Sequence, residues 1–137
     1  MKAATGFLLA IVCASSLSFA DERQLPVFGM HDYELRAGIT SADFEAFVKG
    51  EFAKAWKEKI GGVRAMVMKG NSTAVRGRYR FVYRFDSVER RNKYFPGDRP
   101  NGSVAWFAVM KPVRSVMDRF EAMVRRIEFG EFVALHE

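Results

Sequence analysis

Cysteine is nearly absent. The 137-residue chain has one, Cys13, and two histidines, His31 and His136. With Cys13 inside a removable leader, the remaining chain has no thiol for catalysis, no disulfide and no Cys-ligated zinc, so packing alone must hold the fold. Neither histidine stands in a ligand-spaced motif, and the sequence implies no metal and no cofactor. No apolar run reaches the roughly 20 residues of a membrane span, which argues against a stable membrane anchor. Charge of one sign is also in modest excess. Once Lys2 is removed, 21 basic residues face 16 acidic ones, a net +5. The basic groups Glu89-Arg90-Arg91 and Arg125-Arg126 read as solvated faces without stacking aromatics, so no nucleic-acid partner is expected. There is no internal repeat, no low-complexity segment and no nucleophile motif.

What the chain does have begins with a leader. Lys2 supplies the positive start, Phe7 to Cys13 the apolar centre, and Ser18-Phe19-Ala20 a small-x-small cleavage signal. The reading is a signal peptide over residues 1–20, cleaved near Ala20, and one domain over residues 21–137, periplasmic or secreted. A lipoprotein reading of Cys13 is weaker, because Val12 occupies a position that wants a small residue. The remaining 117 residues suffice for a single core.

Hydrophobic period then orders the elements. Tyr33 to Arg36 reads as strand. Thr40 caps a helix in which Ile39 and Phe44 form a staple and Asp43 takes the N3 position. Phe44, Phe47, Val48, Phe52, Ala55, Trp56 and Ile60 make its apolar stripe, and Gly61-Gly62 predicts its stop. Gly50 interrupts the stripe and marks either close packing or nothing in particular. Val63 to Lys69 and Arg76 to Phe85 read as a hairpin. In the second strand Tyr79, Phe81, Tyr83 and Phe85 share one face while Arg78, Arg80, Val82 and Arg84 share the other. A helical turn over 86–95, a Pro/Gly loop over 96–102, a segment over 103–110, a helix from Pro112 to about Ile127 and a last strand over 130–137 complete the chain.

The order β-α-β-β-α-β predicts an α+β, ferredoxin-like antiparallel sheet under two helices. Two helices cover one sheet face. Met30, Met66, Met68 and Val82 argue that the other is not simply left in water. The Y-E-L-R strand ending at Gly38, the helix from Asp43 to Ile60, Gly62-Val63 and the passage R-Y-R-F-V-Y-R-F-D-S-V-E-R-R resemble the dimeric α/β-barrel superfamily, particularly its NIPSNAP-like members. The likeness covers about residues 29–96. It implies a homodimer whose open sheet faces enclose a cavity, used among relatives for oxygenase, isomerase, haem-degrading or plain ligand-binding roles. Fold does not choose among these.

For the open face two accounts compete. Arg80 and Arg84, with Arg64 or Arg78 secondary, either hold a small anionic ligand in a dimer cavity or pair with Asp32 and Glu34 across the strands. The neighbouring strand presents to that face either Asp32, Glu34 and Arg36 or His31, Tyr33 and Leu35. His31 is the better imidazole candidate for a catalytic role, since it is placed at the start of the strand lining the barrel. Three functions follow as expectations: a ligand-binding protein, a cofactor-independent or haem-degrading oxygenase, or a structural protein whose sheet face only makes the dimer.

Overall fold

The computed structural model describes residues 21–97 and 101–135. The leader over residues 1–20, His136 and the middle of the Pro/Gly loop lie outside the described residues. Four antiparallel strands, β1 Val27–Leu35, β2 Val63–Lys69, β3 Arg78–Phe85 and β4 Val124–Val133, lie in the order β2-β3-β1-β4. This order and the helical crossovers make the fold ferredoxin-like, an α+β sheet with its helices on one face.

The first crossover helix starts as its cap residues dictate. Thr40 Oγ1 accepts from the Asp43 N–H at 3.1 Å, and its hydroxyl donates to Asp43 Oδ2 at 2.6 Å. Helix α1, Ser41–Phe47, runs through a π-helical segment, Val48–Phe52, into a last turn, α2, Ala53–Ala55. The helix therefore ends about a turn earlier than its apolar stripe predicts. Ile60 belongs instead to a tight turn: it exchanges two backbone hydrogen bonds of 2.9 Å with Val63 around Gly61 and Gly62. Both glycines have positive φ, +57° and +81°, which such a two-residue turn requires. Close packing at Gly50 is also ruled out, because a Cβ there would meet nothing within 4 Å.

After β3, the short helices α3, Val88–Tyr94, and α4, Val104–Met110, are capped by Ser87 and Ser103. Helix α5, Arg114–Met123, then passes directly into β4. The predicted helix end near Ile127 and the predicted strand over 130–137 are thus corrected. Val124 continues the helical stripe by spacing, yet it pairs with Leu35 and opens a strand that follows β1 along its length. Ladder pairing outweighs a stripe that nothing in the sequence interrupts. Ile127 is the extra residue of a bulge opposite Asp32 and Tyr33.

Phe44, Phe52, Phe81 and Phe120 form the centre of the core, with Phe120 5.3 Å from Phe81, 5.6 Å from Phe44 and 5.8 Å from Phe52. Burial of each ring contributes about 1.5–3 kcal/mol. Glu45 fastens the first helix to the sheet by accepting from the Tyr79 hydroxyl at 2.9 Å and from Lys69 at 2.6 Å.

Candidate functional site

Strand register assigns every side chain of the open face. Along one row stand Arg64, Arg84, Phe28 and Phe132; the next holds Met66, Val82, Met30 and Gly130; the third Met68, Arg80, Asp32 and Glu128. Beyond these lie Arg78, Glu34 and Arg125. Asp32 and Glu34 are therefore the β1 residues on this face. Arg80 grips Asp32 with two bonds, Nε to Oδ1 at 2.6 Å and Nη2 to Oδ2 at 2.8 Å. The hydrogen bonds from Arg80 hold the Asp32 carboxyl below its usual range. Glu34 pairs with Arg125 and not with Arg78, its neighbour in register.

The four candidate arginines do not form one site. Arg64 and Arg84 face each other across β2 and β3, with Arg84 also 3.5 Å from Asp86 and over the Phe28 ring. Arg80 lies four residues along β3 from Arg84, about 13 Å, and with Arg78 it lines a cleft at the other end of the face.

His31 faces the helices. The strand starts at Val27, so His31 sits in its middle, opposite Phe81 and Phe129, and cannot line a cavity between sheet faces. Its ring lies 4.6 Å from Phe129, 6.1 Å from Phe81 and Tyr83, and nearly parallel to Tyr33 at 6.2 Å. Trp56, which follows the first helix, approaches Tyr83 from another side at 5.9 Å, and Trp106 of α4 meets it edge-on at 5.2 Å. His31 Nδ1 and Trp56 Nε1, on two rings that each contact Tyr83, are shielded from solvent and have no hydrogen-bond partner among the described residues. Burial, assisted by the Arg126 charge, pushes the His31 pKa down to about 4. Burial also raises the Tyr33 hydroxyl above the ordinary phenol range and the Tyr83 hydroxyl far above it. The rings around Tyr83 thus form an aromatic niche in which His31 is uncharged at neutral pH, Arg126 and Glu121 act from nearby, and two ring nitrogens lack partners among the described residues.

By sequence His31 stands out only as an imidazole at the start of a strand and Trp56 only as part of a helix stripe, so neither pattern marks this niche. Among the described residues no group of three or more His, Cys, Asp or Glu gathers as a metal site, and no helix is long and apolar enough to cross a membrane.

No protein-family model matches the chain, and no curated relative is similar to it. Among solved structures, the cofactor-independent oxygenase SnoaB of Streptomyces nogalater is similar at 14% identity and a TM-score of 0.44, over 80% of this chain and 93% of that one. A dimeric protein of ferredoxin-like fold from Bacteroides fragilis has 12% identity and a TM-score of 0.44, over 80% and 96%. A NIPSNAP family protein of Agrobacterium tumefaciens has 13% identity and a TM-score of 0.37, over 81% and 87%. The fold assignment stands on the strand order itself.

Proposed function

We propose that the chain is an exported, homodimeric ligand-binding protein that holds a small uncharged aromatic molecule beneath its helices. The observation that carries this reading is the pair of buried ring nitrogens without partners, His31 Nδ1 and Trp56 Nε1. A buried polar atom left unpaired costs about 1–3 kcal/mol, and native folds rarely keep one without a use. Trp56 is only a donor, so its partner carries an acceptor; neutral His31 can serve as donor or acceptor. The surrounding Tyr33, Phe81, Tyr83 and Phe129 rings favour a flat ligand with a carbonyl or hydroxyl group. Phe129, 52% exposed on the edge strand, is the ring whose rotation opens the way to His31.

The oxygenase alternative asks His31 to take a proton. An imidazole with its pKa near 4 is uncharged at neutral pH but a weak base, which favours binding over proton abstraction. Homodimerisation is supported by the apolar middle of the open face, where Met66 is 44% exposed. Export with cleavage near Ala20 is supported by the leader's composition, and the intact mass of the exported protein tests it.

Calorimetric titration with 1-naphthol and acetophenone, which offer a hydroxyl and a carbonyl, tests the ligand site. Binding that saturates in the micromolar range and is lost in both His31→Phe and Trp56→Phe is the expected result. No saturable change, or equal binding by both variants, leaves the structural role as the better account.

A further inference from the structure

Outside that niche, we infer that the cleft at the hairpin end of the open face is a second binding site, for a small organic carboxylate with an apolar body. The cleft, about 320 Å³, lies where the loop between β2 and β3 folds beside the ends of both strands, and its lining includes Met68, Asn71, Ser72, Val75, Arg78 and Arg80. It is braced rather than loose. The Gly70 N–H donates to the Arg78 carbonyl at 2.9 Å, and Gly70 packs so close to Val75 that an added Cβ would lie 2.0 Å from the Val75 carbonyl oxygen.

The charges around the cleft settle which group is left to bind. Arg80 is engaged by Asp32 through both guanidinium bonds. Lys69 turns to Glu45 on the helix side. Glu34 is opposite Arg78 in register but is taken by Arg125. Arg78 consequently has no ion-pair partner among the described residues, and it is an exposed guanidinium at the wall of a preformed cleft. A guanidinium fork matches a carboxylate in a bidentate way that a lysine cannot. Met68 and Val75 offer apolar surface beside it, while Asn71 and Ser72 offer polar groups at the mouth. Asp32 also lines the cleft and acts on Arg78 through space, but both its oxygens are held by Arg80, so one free guanidinium fork next to apolar wall fits a monocarboxylate better than a multiply charged anion.

This site lies on the sheet face away from His31, so the two readings stand or fall separately. The probe is benzoate, titrated into the full exported protein at low salt and followed by amide chemical shifts, with cyclohexanecarboxylate as the non-aromatic counterpart. Both acids are expected to saturate in the millimolar range or tighter and to shift amides of residues 68–80. Arg78→Met is expected to weaken binding tenfold or more, and Arg78→Lys, which keeps the charge without the fork, to weaken it less. His31→Phe is expected to leave both titrations unchanged. No saturable shift, full binding by Arg78→Met, or loss of binding in His31→Phe overturns the proposal. The last result would place the acid beneath the helices instead, without deciding whether naphthol binds there.

Discussion

His31 is the residue at which composition, register and electrostatics disagree most usefully. Its pKa is lowered from an ordinary 6.5 to about 4, chiefly by burial. The unfolded chain therefore binds a proton that the folded chain refuses between those two values. Stability from neutral His31 is complete above pH 6.5 and is lost as pH falls toward 4, by about 2 kcal/mol after allowance for partial exposure. Urea unfolding midpoints of wild type and His31→Phe across pH 4–7 check this, and the wild type should lose more stability than the variant over that range. At pH 7 the variant should be equal to or up to about 1 kcal/mol more stable than wild type, because it removes an unpaired nitrogen from an aromatic setting. A variant several kcal/mol weaker would mean that His31 serves the fold and not a ligand. The sequence could not place this ring. Both alternating sets of β1, His31-Tyr33-Leu35 and Asp32-Glu34-Arg36, mix polar and apolar character, so period two offers no preference. On β3 the same test is unambiguous, since aromatic residues alternate with arginines, and the structure puts Tyr79, Phe81 and Phe85 in the core as that alternation predicts.

Elements were legible where their punctuation was chemical and obscure where it was not. Thr40 and Asp43 declared the helix start, and the Thr40 cap is in place. The junction between Met123 and Val124 carries neither glycine nor proline, so the helical stripe runs over it unmarked; only the pairing of β4 with β1 sets the boundary. The π-helical segment is similarly silent in composition, apart from Gly50. Gly50→Ala places a methyl in open space, so it should stabilise the protein by up to about 1 kcal/mol through helix propensity and a less flexible unfolded chain. Gly61→Ala should act the other way. Its φ is +57°, and a Cβ would lie 2.2 Å from Val109 Cγ2 and 2.6 Å from the Tyr94 hydroxyl that donates to the Gly61 carbonyl. A loss of about 2 kcal/mol or more is expected from the left-handed backbone and the forced displacement together. Thermal unfolding of the two variants should therefore move Tm in opposite directions. A Gly50→Ala protein as weakened as Gly61→Ala would show that the widened turn needs its glycine. The niche escaped sequence reading for a different reason: it joins the middle of β1, the residue after α2 and the edge strand β4, and no local spacing links those three places.

At the scale of the whole molecule, the open sheet face decides the assembly. Its middle row is apolar, from Met66 through Val82 and Met30, and half of the charged side chains around it are paired within the protomer as Asp32–Arg80 and Glu34–Arg125. A face whose middle row carries no charge can meet a copy of itself without stranding unpaired charge at the centre, and a two-fold arrangement is the common way to close it. The protein is accordingly expected to sediment as a dimer at micromolar concentration. Met66→Glu separates assembly from folding, because Met66 is 44% exposed in the protomer and a carboxylate there remains in water when the chain is alone. In the dimer the same substitution would bury a charge in each protomer, so dissociation should strengthen by two orders of magnitude or more, about 3 kcal/mol. Far-ultraviolet circular dichroism should stay unchanged while sedimentation velocity moves from dimer to monomer. A wild-type monomer under these conditions, or a Met66→Glu dimer as tight as wild type, would remove the open face from the interface and leave its methionines to some other partner.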